Sequence, residues 1–266
     1  MLTTLLTYLL AGAVAGLIAG LFGLGGGVVM VPVLLVVFAA QGVPEAVTMH
    51  MAVGSSLAVI VVTSLSSLRA HHRLGGVAWP VVVRMAGGIA AGALAGAWLA
   101  DTLSANALQN VFAVFLLAVA VKMGLGLNPT PGSRPFPGAL ALAAAGAVIG
   151  TLSALVGIGG GTLTVPFLSW GGMAMRRAVG TSAACGLPIA IAGAAGFMLT
   201  GQGHPELPEF ATGYVYWPAV GGLAAASVLV APLGARLAHR LPGALLQRLF
   251  AALLLVVAGR LLLAGA

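Results

Sequence analysis

Apolar runs of about 17 to 25 residues succeed one another along the chain with only short polar or glycine-proline interruptions, the length needed to cross roughly 30 Å of hydrocarbon as helix. Barrel strands would be about half as long. The pattern predicts ten apolar segments, at 2–22, 24–40, 46–68, 77–100 and 104–125, then 138–158, 160–172, 178–200, 214–238 and 243–264. The expected fold class is an all-α polytopic membrane protein. The second segment of each set of five is short and broken by glycine, so the expectation is eight to ten crossings, according to whether these two segments span or are re-entrant.

Sliding the sequence against itself by about 134 residues lays Gly23–Pro32 (GLGGGVVMVP) over Gly157–Pro166 (GIGGGTLTVP). Downstream, AVGSS at 52–56 answers AVGTS at 178–182, Val77–Pro80 answers Val215–Pro218, and Gln109 with Phe112 answers Gln247 with Phe250. The chain reads as a first transmembrane repeat at 1–126, a cytoplasmic linker at 127–137 and a second repeat at 138–266. An odd number of crossings per copy means that the two repeats enter the membrane in opposite senses.

Charge follows that inversion. The loop after the third segment is RAHHR at 69–73 in the first copy, whereas its counterpart holds Glu206 and Glu209 and no Lys or Arg. Alternating the segments puts Arg69, Arg73, Lys122, Arg134, Arg176, Arg177, Arg236 and Arg240 on the cytoplasmic side and all four acids (Glu45, Asp101, Glu206, Glu209) outside, with both termini outside. Arg260 is the one clear exception. The first run lacks a basic n-region and a cleavage site and is expected to be retained.

Composition narrows the class further. With 61% hydrophobic and 6% charged residues, and a mean hydropathy of +1.14, the chain has no polar surface for a water-soluble domain. The net charge of +7 is scattered at segment ends instead of forming a stripe, which excludes nucleic acid as a partner. The single cysteine, Cys185, excludes an internal disulfide and reads as a buried thiol. Neither CxxC, HExxH nor a cluster of carboxylates points to a metal, and no cofactor is expected.

Three consecutive glycines disfavour helix by about 1 kcal/mol each. A helix starting after them exposes unpaired N–H groups and the positive end of its dipole, which attract an anion where water is absent. Matching glycine breaks in inverted halves point to the central site of a transporter. Candidate substrate-binding residues are therefore Gly25, Gly26 and Gly27 with Gly159, Gly160 and Gly161. Helices beginning near Val28 and Thr162 would place Pro32 and Pro166 within the opening turn or so, where little hydrogen bonding is lost. The hydroxyls of Ser55, Ser56, Thr181 and Ser182 could donate to an oxyanion or bond back to their own helix. Arg84 could bind a sulfonate-like group or snorkel to the interface. Gly12, Gly16 and Gly20, and Gly88, Gly92 and Gly96, recur at four-residue spacing and read as close helix contacts, within one chain or between two copies of a homodimer. Gln109 and Gln247 read as interhelical amides, Trp79 and Trp217 as interface anchors, and His71 and His72 as solvated loop charge.

The paired glycine-proline motifs, each followed by AVG[ST]S, resemble the duplicated unit of the sulfite exporter TauE/SafE family over essentially the whole chain. The resemblance implies a bacterial cytoplasmic-membrane transporter of sulfite, sulfoacetate or another organosulfonate. It marks Gly25–Gly27, Pro32, Gly54–Ser56, Gly159–Gly161, Pro166 and Gly180–Ser182. The four acids all fall in loops, so the mid-membrane carboxylate of a proton- or sodium-coupled pump is missing, and export driven by membrane potential is expected. The alternatives are an uptake permease or a channel for the same anions, or an intramembrane enzyme, for which neither nucleophile with base nor paired acids are found.

Overall fold

A computed structural model describes residues 2–22, 27–125, 137–238 and 243–264. Among them ten helices run in order: α1 (Leu2–Phe22), α2 (Gly27–Ala40), α3 (Glu45–Arg73), α4 (Trp79–Asp101), α5 (Ala105–Gly124), α6 (Ala139–Leu155), α7 (Gly161–Trp170), α8 (Met175–Thr200), α9 (Trp217–Ala238) and α10 (Gly243–Ala264). A two-residue hairpin, β1 (Ala211–Thr212) with β2 (Val215–Tyr216), precedes α9. The fold is all-α and polytopic: α3, α4, α5 and α8 are each long and apolar enough to cross a membrane. At 1.5 Å per residue, α2 and α7, with 14 and 10 residues, reach only about 21 and 15 Å, short of a full crossing.

Local chemistry explains where these helices stop. Gly42, Gly75, Gly157 and Gly172 follow α2, α3, α6 and α7 with φ of +72°, +65°, +65° and +90°, the left-handed conformation that lets the chain turn back and cap the last carbonyls. After α6 the Ile158 N–H reaches back to the Ser153 carbonyl at 2.9 Å, closing such a cap. At α5 the Ser104 hydroxyl accepts the Ala107 N–H and holds the helix start.

The helices pack as two interleaved bundles. One comprises α1, α2 and α3 with α9, and the other α6, α7 and α8 with α4, so each bundle takes its fourth helix from the opposite half of the chain. Glycine ladders make the swap possible. A methyl group at Gly88 or Gly92 would come within 2.0 Å of the carbonyl oxygens of Ala143 and Ala147 on α6, and one at Gly12 or Gly16 within 2.7 or 2.6 Å of the Cα atoms of Leu223 and Ser227 on α9. The order of these contacts makes α4 parallel to α6 and α1 parallel to α9. Backbones so close gain dispersion contact that lipid cannot match.

Between the bundles α3 runs antiparallel to α8, with Gly54 against Phe197 near one end and Gly76, just past α3, against Gly180 near the other. The α5–α10 pair is also antiparallel, as the Gln109 side chain near the start of α5 donates to the Leu261 carbonyl near the end of α10 at 2.8 Å. The charges separate accordingly. Arg69, Arg73, Lys122, Arg176 and Arg177 gather at one end of the molecule, here the basic end, and Glu45, Asp101, Glu206 and Glu209 at the other, the acidic end. The acidic end is tied by side chains: Tyr214 donates to Asp101 at 3.0 Å, His50 meets the Ala100 carbonyl at 3.0 Å, and Tyr8, Phe38 and Tyr216 pack edge to face.

Candidate functional site

The AVG[ST]S motif carries a structural task in both halves. A methyl group at Gly54 would lie 2.7 Å from the Tyr214 carbonyl oxygen, and one at Gly180 lies 2.4 Å from that of Gly76. Next to each glycine the hydroxyl accepts a backbone N–H two residues further on: Ser55 from Tyr216 and Thr181 from Ala78, both at 3.0 Å. Each half thereby holds the segment that leads into the fourth helix of the other. Ser55 and Thr181 are fully buried, and the hydroxyl of each accepts from the backbone of a distant segment.

The glycine motifs divide their residues among different tasks. Gly157 caps α6, and the Ser56 hydroxyl donates to its carbonyl at 2.8 Å. Ile158 is buried, and Gly160 stands immediately before α7. The first bond of α7 runs from the Thr164 N–H to the Gly160 carbonyl at 2.8 Å, so the amides of Gly161, Thr162 and Leu163 precede the helical ladder. Gly27 opens α2 against this turn, where a methyl group would meet Ile158 Cα at 2.7 Å and the Gly157 carbonyl oxygen at 2.9 Å. The two helix starts thus lie side by side. Gly25 and Gly26 lie outside the described residues.

The prolines sit deeper than the sequence suggests. Since α2 and α7 start at Gly27 and Gly161, Pro32 and Pro166 are each the sixth helical residue, not members of the opening turn. Each therefore removes one ladder bond, to the carbonyl of Val28 or Thr162, and loosens the second turn of a short helix.

A cavity of about 650 Å³ runs from this turn towards the basic end, between the two bundles. Gly159, Gly160, Gly161, Thr162 and Ser182 line its inner part, and Ser67, Ala70 and His71 of α3 its mouth. Its other described lining residues include Met30, Ile60, Gly186, Ser227 and Pro232, and none comes from the acidic end. The volume falls in the range of sites for small organic ligands. Among the described lining side chains only His71 is titratable, so hydroxyls and backbone amides dominate the inner chemistry.

Some of the lining hydroxyls are engaged within the protein. Ser64 and Thr63 donate to the Ile60 carbonyl, and Ser227 donates to that of Gly12 at 3.0 Å. Among the others, Ser182 Oγ and Thr162 Oγ1 are buried and have no hydrogen-bond partner, as does Thr164 Oγ1 one turn into α7. Buried polar atoms are rarely left unpaired, and such groups beside free amides suit an oxyanion. Of the residues singled out from sequence, the cavity unites Gly159, Gly160, Gly161 and Ser182, while Ser55, Ser56, Thr181, Gly27 and Arg84 lie off it. Arg84 is exposed on the second turn of α4, close to the basic end, as a snorkelling side chain would be. The cavity also takes in Thr162 and Gly186, which no sequence signal singles out, although Thr162 stands within GIGGGTLTVP itself.

A family model described as sulfite exporter TauE/SafE matches residues 8–261. The chain belongs to the TauE/SafE family. It is 38% identical over 238 residues, 90% of either chain, to a Haemophilus influenzae protein described as "Probable membrane transporter protein". Proteins of Methanocaldococcus jannaschii and Bacillus subtilis with the same description are 30% and 29% identical, over 61% and 55% of this chain and 60% of their own lengths. No solved structure matches the chain significantly. Family and relatives alike make it a multi-pass membrane transporter, with the cavity at the break before α7 as its candidate site.

Proposed function

We propose that this TauE/SafE chain exports a small sulfur-containing anion, such as sulfite, sulfoacetate or another organosulfonate, across the bacterial cytoplasmic membrane by alternating access. The observation that carries the reading is the pair of unpartnered buried oxygens, Ser182 Oγ and Thr162 Oγ1, beside the free first-turn amides of α7 at the inner end of the cavity. Amides and hydroxyls donate to an oxyanion without the desolvation penalty of a buried cation.

Orientation follows the positive-inside rule, with the basic end cytoplasmic and both termini outside. The cavity then faces the cytoplasm, where an exported anion would enter. Residues 1–126 and 138–266 act as inverted repeats joined by the cytoplasmic linker, a reading supported by the antiparallel runs of α3 with α8 and of α5 with α10. The cavity mouth at one end and the tied residues at the other favour a carrier over a channel.

The test is binding of sulfite, sulfoacetate, sulfate, thiosulfate and taurine to purified protein, repeated with Ser182→Ala. A hydroxyl with no partner in the empty protein is lost at little stability cost, whereas one hydrogen bond to a charged ligand is worth about 1.5–3 kcal/mol. The expected outcome is an unchanged melting temperature with affinity lowered at least about tenfold. Equal affinity in wild type and variant would remove Ser182 from the site.

A further inference from the structure

The two halves place different residues beside the starts of α2 and α7, and one of the differences falls on α3 and α8. With AVGSS aligned on AVGTS, Ile60 of α3 corresponds to Gly186 of α8 and Ser56 to Ser182. In each helix the pair is spaced four residues apart and shares one face. We infer that the chain has a single anion site, at the start of α7, kept open by Gly186, while Ile60 fills the corresponding place beside α2. The inference rests on the anion-site reading above and decides how many anions the chain holds and which residue controls access.

Ile60 is buried and wedged between Gly27 and Gly159. Its Cδ1 lies 2.9 Å from where a methyl group on Gly27 would be, and its Cγ2 lies 3.3 Å from the same point on Gly159. Nothing so bulky stands at Gly186, where a methyl group would lie 3.6 Å from the Gly160 amide nitrogen and 3.8 Å from Ser64 Cβ. Gly186 therefore faces a backbone donor that a branched side chain would cover. Ser56 and Ser182 differ in the same sense: Ser56 donates to the Gly157 carbonyl at 2.8 Å, whereas Ser182, 1% exposed and lining the cavity, has no partner. One half offers a free hydroxyl and an uncovered amide, and the other has its hydroxyl engaged and its space filled.

The experiment is calorimetric titration of the purified full-length protein with sulfite and with methanesulfonate, comparing wild type with Gly186→Ala, Gly186→Val and Ile60→Ala. The expected result is one anion per chain, with affinity weakened at least about threefold by Gly186→Ala and at least about tenfold by Gly186→Val, and changed less by Ile60→Ala than by Gly186→Ala. Two anions per wild-type chain would overturn the proposal. So would wild-type affinity in Gly186→Val, or equal loss in Ile60→Ala and Gly186→Ala; the alanine pair decides the matter even if the valine variant does not fold. If wild type binds neither probe, the anion-site reading fails first and this proposal fails with it.

Discussion

Ser55 and Thr181 occupy the same place in two copies of one five-residue motif, and each gives its hydroxyl to the other half of the chain. Tyr216 N–H and Ala78 N–H are the donors, 161 and 103 residues away. Replacing either acceptor with alanine strands an amide that has lost water, at about 1–3 kcal/mol. Ser55→Ala and Thr181→Ala should each lower the melting temperature of the detergent-solubilised protein. Their effects should add to within about 0.5 kcal/mol, since they act at opposite ends of the α3–α8 pair. An unchanged melting temperature in both would mean that water replaces the hydroxyls. The motif was visible in the sequence as a repeat, but its task was not, because a hydroxyl can donate or accept and its partner lies in a distant segment. Ser182 shows the converse: the same residue type, one position further on, is left without a partner and lines the cavity.

For the elements, the sequence was most informative where spacing alone sets the structure. The short second segments appear as α2 and α7, and the glycine breaks before them end in helix starts because three glycines resist continuation. The positions of Pro32 and Pro166 were less legible, since a one-residue change in the start of a helix moves a proline into the next turn. Four-residue glycine spacing on α4 was legible as a contact face, though not that α6 is the partner. Two glycines five residues apart on α4 separate packing from propensity. Gly92→Ala forces a methyl against the Ala147 carbonyl and should destabilise by about 1–3 kcal/mol, whereas Gly87, exposed with open space around it, should tolerate alanine or gain up to about 1 kcal/mol. Thermal melts of the two variants check this. Similar losses in both would show that the α4–α6 ladder is not a tight contact.

At the scale of the whole molecule, helices are exchanged between the two halves of the chain: α4 joins the bundle of α6 to α8 and α9 that of α1 to α3. Sequence self-similarity reports equivalence and carries no information on which equivalent elements trade places. Charge was more legible, since its separation depends on the order of the helices and not on their packing. All four acids lie at the acidic end: Glu45 opens α3, Asp101 closes α4, and Glu206 and Glu209 stand in the loop after α8. A carboxylate at mid-depth to carry a coupling proton is thus not supplied by any of them, and the export proposed above, driven by the membrane potential, needs none. Moving one negative charge outward across 100 mV, interior negative, gains about 2.3 kcal/mol, which sustains a gradient of about fiftyfold. In proteoliposomes loaded with sulfite or sulfoacetate, a potassium diffusion potential set with valinomycin should therefore drive flux whose direction reverses when the potential is reversed, while a pH gradient at zero potential drives none. Flux that follows the pH gradient and ignores the potential would require a proton-carrying group, and His71 at the cavity mouth, the only titratable side chain among the described lining residues, would be the first to replace.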